Sequence, residues 1–184
     1  MGVQKLSIQL DGISLLERAL QAAANFTCVV VAGPALAEQI APGPRLRVVI
    51  NPAPERGMAH SLALADAAVP DRAAALVVLL ADTPFVDAAL IRAVLEARGD
   101  ADVAFPVRDG VPGHPVVFGP RPRQEIAGLP EGDTLRRLRD DPRWRRVELP
   151  IGDDRPFLDV DTPADLERLA GRPPDGTSGT FAES

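Results

Sequence analysis

Three aspartates carry the first chemical hint in this chain. Asp82 follows the apolar run Leu76-Val77-Val78-Leu79-Leu80-Ala81 and precedes Thr83-Pro84. Asp159 and Asp161 stand two apart in Leu158-Asp-Val-Asp-Thr-Pro163, a spacing that points both side chains to one face of a strand. Carboxylates at strand ends suit Mg²⁺, which takes oxygen ligands and often binds through one or two carboxylates plus waters and substrate phosphates. The competing reading is structural, because Asp in a turn bonds well to the backbone N–H groups that follow it. A second candidate is Gly57-Met58-Ala59-His60-Ser61-Leu62, at a strand-to-helix junction. Glycine there permits close backbone approach, and a helix N-terminus offers N–H groups to an anion or a base edge; a plain flexible turn is the alternative. His60 has no Cys or Ser–Asp arrangement beside it and reads as a surface or partner-facing histidine. His114, between Gly113 and Pro115, reads on its own as a turn histidine bonded to backbone. Lys5 is the only lysine in the chain and by itself reads as an exposed terminal cation.

These residues need a scaffold, and the apolar pattern supplies one. Leu76 to Leu80 is an unbroken apolar run, as in a strand buried on both faces, and Pro84 stops it from continuing. Asp87 then caps a helix over 87–98. Asp82 is thereby expected at the carboxyl end of a central strand, where open α/β sheets bind ligands. Ile13, Leu16, Leu20 and Ala23 share one helical face, predicting a helix over 13–24. Strands are expected at 28–31 and 46–50, a short helix at about 34–40 and another helix at about 58–69. This alternation of strand and helix implies an α/β fold with a Rossmann-like, mostly parallel sheet. The second half predicts a hairpin from 103–107 and 114–118, joined by a turn-rich link and added to the sheet. Short charged helices are expected at 121–129 and 134–140, and last strands at 146–149 and 157–160. Thr162-Pro163-Ala164-Asp165 has the form of a helix start, with Thr162 as its cap. Asp87 fills the cap role near Asp82, so a turn role is the structural reading left to Asp82, and the Thr162 cap leaves the Asp159 and Asp161 carboxylates available.

Composition sets the bounds. The chain has 184 residues, is 46% hydrophobic and carries a formal charge of −6. One domain over 1–170 is expected, with a tail over 171–184 too poor in apolar residues to pack. Outside Arg136 to Arg146 the basic residues are scattered, which argues against a nucleic-acid surface. No apolar run approaches the ~20 residues of a membrane span, and no signal peptide opens the chain. Cys28 is the single cysteine, which fits a reducing cytoplasm.

Taken together and in order, these segments resemble the MobA-like nucleotidyltransferases, the group that includes the molybdenum cofactor cytidylyl- and guanylyltransferases. The matching pieces are Met1-Gly-Val-Gln-Lys5, Leu10-Asp-Gly-Ile-Ser-Leu-Leu-Glu-Arg18, Asn51-Pro with Gly57-Met-Ala-His-Ser-Leu62, Leu79-Leu-Ala-Asp-Thr-Pro84, Gly113-His-Pro-Val-Val-Phe118 and Leu158-Asp-Val-Asp-Thr-Pro-Ala-Asp-Leu166. The resemblance implies the nucleotide-diphospho-sugar transferase type of fold, with CTP or GTP and Mg²⁺ bound to it. The phosphate of molybdopterin would attack the α-phosphorus in line, and pyrophosphate would leave, chemistry that is mainly positioning and charge neutralisation. On that likeness Asp82 holds the metal, with Asp161 and Asp159 completing the site. Lys5 neutralises nucleotide phosphate. Gly57, Met58 and Ser61 contact the nucleotide, and Gly113 and His114 face the acceptor. The partners implied are small molecules, with a molybdoenzyme or its maturation chaperone beyond them.

The start departs from the family. Its members open with a buried strand and a loop of the form LAAGxSxRMGxxK, of which Met-Gly-Val-Gln-Lys5 is what remains here. The expectation is a true start upstream, with two sheet edges left open in the present chain. The alternatives are transfer to another small phosphorylated acceptor, or a degenerate subunit without catalysis. Asp82-Thr83-Pro84 is closer to the guanylyl members, whereas Gly57-Met58 and Gly113-His114-Pro115 are closer to the cytidylyl ones. The segment after Gly132-Asp133 also departs from the family's Gly-rich form.

Overall fold

Ser14 opens the first long helix. Its hydroxyl accepts from the Glu17 N–H, and the Glu17 carboxylate accepts from the Ser14 N–H, a reciprocal cap. The helix, α1, runs Leu15–Ala23, and a two-strand hairpin of β1 (Gln9–Leu10) and β2 (Ile13–Ser14) leads into it. The chain then alternates: β3 (Cys28–Ala32), α2 (Pro34–Ala37), β4 (Leu46–Ile50), α3 (Met58–Ala68), β5 (Leu76–Val78), α4 (Ala88–Arg98). The second half holds β6 (Val103–Arg108), β7 (Val111–Pro112), β8 (Val116–Phe118), α5 (Pro120–Gln124), α6 (Leu135–Arg139) and β9 (Arg146–Pro150). The computed structural model describes residues 6–160 and residue 165. The expected last helix, apart from a helical Asp165, and the expected tail lie outside the described residues.

The fold is mixed α/β rather than strictly parallel. β3 and β4 pair in parallel as one two-stranded piece. In the other piece β8 lies between β5 and β6, antiparallel to both, and β9 runs parallel to β6 on its far side. The second strand of the expected hairpin thus sits inside the sheet. It is there because Val116, Val117 and Phe118 are all apolar and can face a helix layer on both sides. Val103, Phe105, Val116 and Phe118 join a cluster with Leu62 of α3. Ala104 and Val117, on the opposite face, join Val94 of α4. Alternate residues therefore feed two helix layers, and the six from both strands are at most 1% exposed.

β5 differs from its expectation. It spans Leu76–Val78 and is the outer strand of its piece, and Val77 to Leu80 are half-buried. Among the described residues β3 and β5 each pair on one side only, so no ladder covers the second edge of either. Helices join the two pieces instead. Leu16 and Leu20 of α1 pack on the β3–β4 cluster, and Ala22 of α1 lies in a cluster with Val77, Leu79 and Ile91.

Candidate active site

Hydrogen bonds within the chain shape the Asp82 loop. After β5 the chain turns at Ala81-Asp82, and the Thr83 hydroxyl donates to the Leu80 carbonyl at 2.8 Å. The Val86 N–H then donates to the Thr83 carbonyl at 3.3 Å. Asp87 caps α4 by accepting from the Leu90 N–H at 2.8 Å, as the sequence predicts. Asp82 is 5% exposed and Thr83 4%.

The second acidic segment meets this loop through its backbone. The Val160 N–H donates to the Asp82 carbonyl at 3.0 Å. Val160 is fully buried in a cluster with Leu10, Leu15, Ile8 and Phe85. Leu158 is extended (φ −88°, ψ 113°), and side chains along extended chain alternate. With Val160 turned into the core, Asp159 is turned out and exposed. Residues 157–160 are not the strand that the sequence suggested: Arg155–Phe157 forms a 3₁₀ turn, because Pro156 and the Asp153–Arg155 pair bend the chain before it straightens.

His114 completes this group. Its Nδ1 lies 3.4 Å from the Val78 carbonyl oxygen at the end of β5. Burial pushes its imidazole below the ordinary histidine value, and the Val78 carbonyl and the Asp82 carboxylate pull the other way without prevailing. At neutral pH His114 is therefore an uncharged hydrogen-bonding group. The Gly113 N–H donates to the Pro106 carbonyl at 2.8 Å, which anchors the residue to β6. Asp82, Gly113, His114 and Asp159 are thus brought to one place, around the exit of β5.

Gly57, Met58 and Ser61 form a second group at the start of α3. Gly57 has φ 88° and ψ −169°, a region essentially closed to residues with a β-carbon, so glycine is required. Gly57, the N-cap of α3, has no side chain to cap it, which leaves first-turn amides to other partners. Ser61 is already engaged: its hydroxyl accepts from Asn51 Nδ2 at 3.0 Å. Asn51 is 1% exposed, and its Oδ1 also accepts from the Ala53 N–H at 2.9 Å. Met58 and Val78 pack against one apolar cluster, which relates this loop to the strand that leads to Asp82. Glu131 and Gly132 close against it from outside, with an Arg56–Glu131 ion pair of 3.0 Å.

Lys5 and Asp161 lie outside the described residues. Among the described residues no group of three or more His, Cys, Asp or Glu side chains could hold a metal. Asp82 and Asp159 still fit the chemistry of Mg²⁺ or Mn²⁺: they are oxygen donors on two segments joined by a backbone hydrogen bond, and such ions need few carboxylates when phosphates and waters complete the shell. Sequence reasoning gave no role to Asn51 or Phe157. The Asn-Pro pair after a strand was a visible signal for the first, whereas the second has no local signature. Among the described residues no helix is long and apolar enough to cross a membrane.

The model of the MobA-like NTP transferase domain matches residues 1–147. No curated protein matches the chain in sequence. Among solved structures, Rv0371c of Mycobacterium tuberculosis H37Rv in complex with manganese is 24% identical, with a TM-score of 0.77 over 90% of each chain. 2-C-methyl-D-erythritol 4-phosphate cytidylyltransferase of Thermus thermophilus is 21% identical, with a TM-score of 0.68 over 90% of this chain and 93% of that one. Molybdopterin-guanine dinucleotide biosynthesis protein A of Archaeoglobus fulgidus is 19% identical, with a TM-score of 0.66 over 92% of this chain and 90% of that one. At these identities the structural likenesses speak for the fold.

Proposed function

The chain belongs to the MobA-like NTP transferase family, and from that premise we propose that it transfers CMP or GMP from CTP or GTP to the phosphate of molybdopterin with the help of a divalent cation. Its general activity is nucleotidyl transfer. The observation that carries the finer reading is the convergence of Asp82, Asp159 and His114 at the end of β5.

In this reading Gly57 and Met58 receive the nucleotide at the open N-terminus of α3, and Ser61 acts by tying that turn to Asn51. Asp82 and Asp159, with Asp161, would hold Mg²⁺. When bound, the ion neutralises charge on the triphosphate oxygens. Lys5 adds a cation toward the same phosphates. An acceptor phosphate oxygen forms the new bond to the α-phosphorus, and the bond to the pyrophosphate leaving group breaks. His114 carries no charge of its own at neutral pH, so it can donate or accept toward an anionic acceptor. Gly113 lies beside it on the acceptor side.

A second reading is transfer to another small phosphorylated acceptor. It is favoured by the fold likeness to the Thermus cytidylyltransferase, which is of the same order as that to the Archaeoglobus protein. Thermal melts with CTP and GTP, each with and without Mg²⁺, test the donor side, because a ligand that binds only the folded state raises the melting temperature. A Mg²⁺-dependent rise with one nucleotide is expected. Pyrophosphate release on adding molybdopterin then tests the acceptor; release with another phosphorylated acceptor and not with molybdopterin selects the second reading. No shift with either nucleotide would overturn both.

A further inference from the structure

The position of Gly113 has a physical cause that lies outside the acceptor. A β-carbon at residue 113 would fall 2.5 Å from Cε1 and 2.7 Å from Cδ1 of Phe157. Those separations are well inside carbon–carbon contact, which is optimal near 3.5–4.0 Å. Gly113 cannot back away, because its N–H is held by the Pro106 carbonyl of β6. The ring of Phe157 therefore occupies the space that only glycine leaves.

Phe157 stands at one end of a short segment whose other end is pinned. Ile151 is tied to β6 by its N–H to the Val107 carbonyl at 3.0 Å. From there the chain runs through the Arg155–Phe157 turn, and Leu158 follows with its N–H on the Arg155 carbonyl at 3.0 Å. Val160 is held by its buried side chain and by the bond to the Asp82 carbonyl. Between the Phe157 ring and Val160 only Leu158 and Asp159 remain.

We infer that Phe157 is a positioning residue of the site: its ring, seated against Gly113, fixes the entry of Leu158–Val160 and so sets Asp159 beside the Asp82 loop. Its bearing on metal binding rests on the metal reading given above; its bearing on the segment does not. Gly113 is accordingly glycine to make room for the ring.

The test uses the whole chain as wild type, Gly113→Ala, Phe157→Ala and the double variant Gly113→Ala/Phe157→Leu, with Asp82→Asn as control. Two quantities are read: hydrogen exchange of the Val160 amide, and Mn²⁺ affinity by paramagnetic resonance titration. Gly113→Ala and Phe157→Ala should each speed exchange at Val160 about tenfold, the effect of local opening in a folded protein. Each should weaken Mn²⁺ about tenfold, as loss of an orienting group does. The double variant, whose smaller side chain makes room for the new methyl, should recover most of both. Wild-type exchange in Phe157→Ala, or a double variant no better than Gly113→Ala, would overturn the inference. If Gly113→Ala does not fold, Phe157→Ala decides by the same two readouts. If Asp82→Asn binds Mn²⁺ like wild type, the metal reading falls, and the exchange data still decide the role of the ring.

Discussion

Asp82 is held through its backbone and the turn around it, so its carboxylate is placed without being needed as a cap. Replacing Asp82 by Ala should leave the fold intact while lowering pyrophosphate release by about 10²–10³, the scale of losing one charge-stabilising group. Wild-type turnover by that variant would remove Asp82 from the reaction. His114 makes a second prediction, and its sign follows from its surroundings. Burial lowers the imidazole below its ordinary value of 6.5, against Val78 and Asp82, with Arg139 adding to the lowering. Below that value the unfolded chain takes up a proton that the folded chain resists. Stability is thus complete above the ordinary value and is lost as the pH falls from there toward the lowered one. Melts from about pH 8 to about pH 5 should show the decline, and His114→Gln should flatten it. An unchanged slope in that variant would place the titration elsewhere.

At the scale of elements, the ends of α3 are asymmetric. Its N-cap, Gly57, has no capping side chain, while its end is clamped by Arg123. That guanidinium pairs with Asp66 and donates to the Val69 and Pro70 carbonyls at 2.9 and 3.0 Å. A cation at a helix C-terminus complements the dipole and satisfies carbonyls that the helix itself cannot. Arg123 is 8% exposed, so removing it takes from the partly buried Asp66 the guanidinium it pairs with. Arg123→Met should cost about 3 kcal/mol in denaturant unfolding. It should leave the nucleotide-dependent thermal shift in place, because the clamp sits at the end of α3 away from Gly57. A loss below about 1 kcal/mol would mean that the pair is screened like a surface bridge.

The whole molecule is organised around β6 and β8 more than around β5. Their six core residues are essentially inaccessible, whereas Val29, Val30 and Val31 of β3 are half-buried and β5 pairs on one side. Amide protection follows burial and ladder completeness, so exchange should be slowest in β6 and β8 and faster in β3 and β4. Equal protection in both pieces would show that the helices bridging them make one cooperative sheet. The bridging side chains from α1 are the ones to watch, since Leu16 and Ala22 belong to clusters on different pieces.

Much of this was legible in the residues. The span Leu46–Ile50, the Asp87 cap, the helix after Gly57 and the start of β6 follow from short-range causes: apolar period, a capping oxygen, a proline that ends a run. So does the family, because its motifs are local and ordered. What the sequence could not decide depends on which strand lies beside which. The run Leu76–Leu80 reads as doubly buried because it is apolar, yet burial also needs neighbours on both edges, and these come from distant parts of the chain. The placement of β8 between β5 and β6, the Val160 bond to Asp82 and the seat of Phe157 on Gly113 are likewise contacts between residues far apart in sequence. Gly113 and Phe157 are 44 positions apart, and no local pattern could show that one is glycine to make room for the other.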